Sequence, residues 1–303
     1  MNETSAQYQN FHKTRIAPTP SGFLHFGNIL SFAVTAVIAQ KIGAKILLRI
    51  DDIDRLRTNK EYVQDIFDTL NFLEIPWHEG PRNLEEFEDS YSQVHRMPNY
   101  NEAINNLRDA GFIYACNCSR KQLDVTNNEN DYVCGCQIQQ IPLLAENVNW
   151  CLSANKDAVI SVKNIDGSIT NNTLPADMHH VVIRKKDGFP SYQLTSVIDD
   201  LFYGIDLVIR GKDLWSSTLV QHQLAAALGE NKFSKITFYH HPLLMETPDK
   251  KLSKSAGATS IRYLRQSGKS AADIYTIIAD LMGINGPVTN WNELGEAALV
   301  AGY

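Results

Sequence analysis

Residues 14–50 read TRIAPTPSGFLHFGNILSFAVTAVIAQKIGAKILLRI, and the order of patterns in this stretch decides the fold. Thr14-Arg15-Ile16-Ala17-Pro18 starts as a short strand and breaks at Pro18 and Pro20, after which Gly22 to Gly27 make a loop. From Asn28 to Ile42 the apolar positions Ile29, Leu30, Phe32, Ala33, Ala36, Val37 and Ala39 fit a buried helix whose small residues permit close packing. Gly43-Ala44 ends it, and Lys45 to Ile50 reads as a buried strand. Strand, loop, helix and strand within about 40 residues make a βαβ unit, with parallel strands and a right-handed crossover. This is how a Rossmann-type, doubly wound parallel sheet begins, so the expected fold class is α/β.

Outward from that unit, helical patterns follow at Asn59 to Leu73 and Arg96 to Ala110, separated by the turn-rich Ile75 to Pro81. Residues 112–183 change in texture. They hold the cysteine cluster, the Asn-rich Asn127 to Asn130 and short β-like runs such as Ala158 to Val162, which together read as an inserted lobe. The first kind of pattern resumes at Tyr192 to Asp200 and Asp206 to Gly211, then at a helix from about Ser216 to Leu228 and a strand at Ile236 to Tyr239. The expected organisation is a nucleotide-binding domain in two halves, 1–111 and 184–258, around the inserted lobe 112–183. A helical C-terminal segment, 259–303, follows; Ala271 to Met282 is its clearest amphipathic stretch.

With 303 residues, 44% hydrophobic and 20% charged, the chain can bury a substantial core. A formal net charge of -6 excludes wholesale coating of nucleic acid. Any RNA contact must use local patches such as Arg184-Lys185-Lys186, Lys250-Lys251 with Lys254, or Arg262 with Arg265 and Lys269. Met1 to Gln7 is polar and lacks an apolar signal core, and Phe32 to Ala39 is too short to span a bilayer. A cytoplasmic protein with no membrane partner is expected.

The five cysteines fall at 116, 118, 134, 136 and 151, four of them within 21 residues. C-x-C followed after fifteen residues by C-x-C reads as a metal site in an intracellular chain, because four thiolates complete a tetrahedral zinc shell. Reduced, structurally idle thiols are the other reading. Tyr132, four residues before Cys136, offers an oxygen in place of the Cys134 sulfur.

Two short motifs carry chemistry. His25-Phe26-Gly27-Asn28 lies at the turn from the first strand into the first helix, where His25 and Asn28 can donate to phosphates and Gly27 lets a nucleotide approach the backbone. Far along the chain, Lys251-Leu252-Ser253-Lys254-Ser255 is followed by Ala256-Gly257-Ala258, a small cationic loop whose lysines can neutralise charge on a departing pyrophosphate. Either motif alone fits an ordinary turn or a solvated loop.

In this order, at opposite ends of an α/β pattern, the two motifs resemble the two signatures of class I aminoacyl-tRNA synthetases. Residues 15–25, 48–55, 190–194 and 208–214 are similar to the glutamyl subgroup. The resemblance covers roughly residues 13 to 283 and implies ATP with Mg²⁺ as substrate, contacted by His25, Gly27, Asn28, Lys251, Ser253 and Lys254. His25, Asn28, Lys251 and Lys254 would act in catalysis. It also implies a glutamate site at Arg15, Thr19, Asp51, Tyr192 and Arg210, which suits a doubly anionic amino acid with an ammonium group. Asp51 stands where the subgroup usually has glutamate, and Asn28 replaces its usual small residue or histidine.

The 48 residues after Ser255 (256–303) are too few for the long anticodon-binding region of a full glutamyl synthetase. Within the subgroup the chain therefore most resembles the glutamyl-Q tRNA(Asp) synthetases, which activate glutamate without tRNA and attach it to queuosine in the tRNA(Asp) anticodon. Their zinc pattern, C-x-C then Y-x-x-x-C, is matched by Cys116, Cys118, Tyr132 and Cys136, with Cys134 as the alternative fourth ligand. The implied partners are glutamate, ATP and tRNA(Asp), and a monomer is expected. Two other functions share the pattern: amino-acid adenylation with a non-tRNA acceptor, and non-catalytic RNA binding by a synthetase-like protein.

Overall fold

The computed structural model describes residues 11–118, 135–247, 250–251 and 260–303, and for 177, 245–247 and 250–251 the backbone alone. Tyr132, Cys134, Ser253 and Lys254 lie outside the described residues. In chain order the principal elements are β1 (Lys13–Ile16), α1 (Phe26–Ile42), β2 (Lys45–Leu48), α2 (Lys60–Phe72), α3 (Met97–Asp109), β3 (Ile113–Cys116), β4 (Asn149–Leu152), β5 (Ile160–Asn164), β6 (Ile169–Asn172), β7 (Val181–Arg184), α4 (Tyr192–Phe202), β8 (Leu207–Gly211), α5 (Trp215–Ala227), β9 (Thr237–His241), β10 (Met245–Thr247), β11 (Lys250–Lys251), α6 (Ala271–Leu281) and α7 (Trp291–Val300). They divide between two compact units: Met1–Gln93 with Ile205–Leu214 and Thr237–Tyr303, and Val94–Gly204 with Trp215–Ile236.

In the first unit β1 and β2 run parallel, Lys13 opposite Lys45 and Ile16 opposite Leu48. Helix α1 connects them, as the stretch 14–50 predicts. It begins at Phe26, two residues before the hydrophobic pattern, because His25 and Asn28 cap it. Ile29, Leu30, Ala33, Val34 and Val37 are wholly buried, so α1 is apolar around most of its circumference. Helix α7 crosses it at Gly295, where a Cβ would collide with Val37 and with the Ala33 carbonyl. A Lys41–Glu296 ion pair of 2.6 Å borders this crossing.

On the far side of β2, Leu47 bridges Glu79 in parallel. A side chain at Gly80 would strike the Leu48 carbonyl, and its φ of 97° suits glycine alone. On the near side, β8 lies beside β1. The Asp206 N–H donates to Lys13 O (3.1 Å), and the Asp206 carboxylate accepts from the N–H groups of His12 and Lys13 (2.8 and 2.9 Å). Strand β9 then runs parallel to β8, with Leu207 opposite Thr237 and Arg210 opposite His240. The chain therefore steps outward from β1 to β2 and returns to the opposite side at β8. That reversal is a topological switch point, and open α/β sheets bind ligands at the carboxyl ends of the strands there.

The second unit holds an antiparallel sheet of order β3-β4-β7 and the hairpin β5-β6. The Ala158–Val162 run appears as β5 two residues later, starting at Ile160. A buried cluster fixes α3 to α4: Arg96 grips Asp199 through two nitrogens (2.7 and 2.9 Å), Tyr100 donates to the same carboxylate (2.7 Å), and the Arg96 guanidinium lies 5.2 Å over the Tyr203 ring. Burial opposes the Arg96 charge most, but the hydrogen bonds and the negative charge of Asp199 together outweigh it and raise the pKa. Among the described residues no helix is long and apolar enough to cross a membrane.

Candidate active site and cysteine cluster

The turn after β1 is built around the start of α1. His25 is the N-cap in extended backbone, and its Nδ1 accepts from the Gly27 N–H (3.1 Å), while the Asn28 side-chain oxygen accepts from the His25 N–H (3.1 Å). This reciprocal capping box fixes both side chains at the positive end of a seventeen-residue helix. With Nδ1 accepting, a neutral His25 carries its proton on Nε2, and Asn28 keeps its amide as donor. Gly27 also has a reason within the chain: a Cβ there would sit 3.1 Å from the His25 ring.

One flank of the second motif returns to this turn. Strand β11 carries the Lys250 and Lys251 backbone against β10, with Lys251 opposite Met245. Beyond the motif, Ser260 forms an antiparallel bridge with His25, and the Ile261 N–H donates to Leu24 O (2.9 Å). Residues 25 and 260, 235 positions apart in the chain, are thus paired through the backbone.

Arg15 lies on β1, 5% exposed, and its guanidinium donates to Ile209 O on β8 (3.2 Å). Arg210, 4% exposed, lies one residue on, with its guanidinium 5.4 Å above the Phe238 ring. Opposite it, His240 is held neutral, its pKa lowered to about 3, first by burial and then by the charges of Arg210, His241 and Arg15. The carboxyl ends of β1 and β8 therefore carry two buried guanidiniums, and the adjacent imidazole adds no third charge.

Thr19 is exposed just past β1. The Asp51 N–H donates to Pro18 O (2.9 Å), which sets Asp51 beside this loop. The Asp51 carboxylate lies in a buried fork from Arg49, at 2.7 and 3.1 Å. Its neighbour Asp52 is fully buried and accepts from Ser92 Oγ (2.6 Å), the Gln93 N–H (2.7 Å) and Arg55 (3.1 Å). Arg15, Thr19, His25, Gly27, Asn28, Asp51 and Arg210 are all in the first unit, whereas Tyr192 opens α4 in the second.

The second unit also gathers thiols. Cys116, Cys118 and Cys136 offer ligand atoms within 4.8 Å of one another, and the Cys118 and Cys136 sulfurs are 3.5 Å apart. Three thiols at this spacing suit a soft divalent cation. Cys116 also forms a second triad with Cys151 and His180. Sequence reasoning set Cys151 apart from the cluster and passed over His180, because their proximity depends on strand register. It also passed over Arg49 and Asp52, although Arg49 and Asp51 sit two residues apart, a spacing that places strand side chains on one face.

Comparison with known proteins shows the family. Residues 12–287 match the family described as tRNA synthetases class I (E and Q), catalytic domain. A glutamate–tRNA ligase 2 of Acidiphilium cryptum (strain JF-5) is 34% identical over 280 residues, 89% of this chain and 61% of that protein. The chain thus spans less than two thirds of that relative's length. A glutamyl-Q tRNA(Asp) synthetase of Synechococcus sp. (strain CC9605) is 32% identical over 282 residues, 91% of this chain and 85% of its own. The fold resembles the crystal structure of a glutamate tRNA ligase from Elizabethkingia meningosepticum CCUG26117 in complex with its amino acid. The TM-score is 0.71 at 20% identity, covering 94% of this chain and 64% of that one. The chain belongs to the class I tRNA synthetases (E and Q), a family of ATP-dependent ligases, with residues 12–287 matching their catalytic domain.

Proposed function

We propose that this chain activates glutamate with ATP in the absence of RNA and transfers it to queuosine in the anticodon of tRNA(Asp). The observation that carries the first step is the His25–Ser260 bridge, which brings the flank of the lysine motif to the capped start of α1. The acceptor rests on the glutamyl-Q tRNA(Asp) synthetase relative, 85% of whose length this chain spans.

In the first step the glutamate α-carboxylate attacks the α-phosphorus of ATP. The new bond to phosphorus forms as the bond to the β-phosphate oxygen breaks, and pyrophosphate leaves with Mg²⁺. No general base is needed, since the carboxylate is ionised at neutral pH. His25 Nε2–H and the Asn28 amide donate to the phosphates at the helix N-terminus, and Lys251 and Lys254 neutralise the charge of the leaving group; Gly27 and Ser253 complete the nucleotide contacts. Arg15 and Arg210 take the glutamate carboxylates, aided by Thr19 and Tyr192. Asp51, locked by Arg49, presents its remaining lone pairs to the ammonium group. An RNA hydroxyl then attacks the mixed anhydride carbonyl, the bond to the phosphate oxygen breaks as AMP leaves, and the hydroxyl proton passes to the departing phosphate.

Cys116, Cys118 and Cys136, with Tyr132 or Cys134 as fourth ligand, would hold a structural zinc ion. The ion would tie the end of β3 to the helical turn that begins at Cys136.

The acceptor is tested by offering radiolabelled glutamate and ATP with tRNA(Asp) that carries or lacks queuosine. Label should enter only the queuosine-containing RNA. Equal labelling of both, or of neither while adenylate still forms, rejects this acceptor and leaves the activation step standing.

A further inference from the structure

The sheet β3-β4-β7 presents one face on which register, not sequence proximity, assembles ligands. Tyr114 is opposite Cys151, and Cys151 is opposite Val182. Cys116 lies two residues beyond Tyr114 and His180 two residues before Val182, so all of them share a face. Cys116 and Cys151 are completely buried.

The distances fit metal coordination. Tetrahedral zinc with bonds of about 2.3 Å to sulfur and about 2.0 Å to nitrogen sets sulfurs about 3.8 Å apart, and sulfur from nitrogen about 3.5 Å. Cys151 Sγ is 3.4 Å from His180 Nε2, and Cys118 Sγ is 3.5 Å from Cys136 Sγ. The two pairs match the two kinds of tetrahedral edge, and each forms a compact triad with Cys116. His180 Nδ1 lies 3.0 Å from the Tyr114 hydroxyl. When Nδ1 donates to that oxygen, the lone pair is on Nε2 and faces Cys151. An outer hydrogen bond of this kind commonly orients a metal-ligating imidazole.

We propose that Cys116, Cys151 and His180 form a second site for a divalent cation of the zinc class. Its third ligand is the Cys116 thiolate, which bridges to the ion held by Cys116, Cys118 and Cys136. Cys116 is already a thiolate on the first ion, so binding of the second releases one proton to solvent, from the Cys151 thiol, and leaves a fourth position on that ion for water. This inference rests on the β3-β4-β7 face and on the zinc ion proposed for Cys116, Cys118 and Cys136, and is independent of glutamate activation.

The test is zinc stoichiometry of the full chain, reduced, stripped by chelation, titrated with zinc chloride and counted by native mass spectrometry. The wild type should hold two ions, His180→Ala and Cys151→Ser one each, and Cys118→Ser one. Tyr114→Phe should keep both but bind the second about 10- to 100-fold more weakly. A single ion in the wild type overturns the proposal without recourse to any variant, and so do two ions in folded His180→Ala.

Discussion

His25 does two jobs with one ring: Nδ1 caps α1 through Gly27, which leaves Nε2 as the protonated nitrogen. The motif was readable as a tetrapeptide, but the capping box that orients it was not, since His is an uncommon N-cap. His240 shows the converse. Nothing in Phe238-Tyr239-His240-His241 marks it, and its state is set by burial and by two arginines from other strands. Its pKa of about 3 in the fold lies below the ordinary value of 6.5. As pH falls from 6.5 towards 3 the unfolded chain takes up a proton that the folded chain does not, so stability is lost in that window. His240→Gln removes this contribution. Between pH 7.5 and 5.0, urea unfolding should show the wild type losing up to about 2 kcal/mol more than the variant. Equal losses would mean that His240 titrates alike in the folded and the unfolded chain.

At the scale of elements, the βαβ unit of residues 14–50 was legible because strand, buried helix and strand each have their own apolar period. The pairing of α7 with α1 was not. Gly295 reads as a weak point within a helix, and only the crossing gives it a reason: the two backbones approach too closely for a side chain. Gly295→Val should therefore destabilise the first unit by about 1–3 kcal/mol, as overpacking does. A lowered urea midpoint with unchanged slope is the expected record. An unchanged midpoint would show that the helices separate at no cost. The antiparallel face carrying Cys116, Cys151 and His180 was equally hidden, because cross-strand neighbours depend on register between segments about 30 residues apart.

Over the whole molecule, the sequence order of β1, β2, β8 and β9 becomes a spatial order that reverses at β1. The reversal brings Arg15 and Arg210 side by side at the switch point. It explains how residues nearly 200 positions apart come to one place, and why composition alone, acidic on average, conceals a cationic cluster. The backbone bridge from His25 to Ser260 closes the same arrangement from the other end of the chain. On the proposed reading, these are the parts that would form an aminoacyl-adenylate before any RNA arrives. The direct test is ATP–pyrophosphate exchange by purified protein without RNA, across the twenty amino acids. Exchange should depend on glutamate and fall about 100- to 1000-fold in Lys254→Ala. Exchange with no amino acid, or full exchange in Lys254→Ala, would contradict the account.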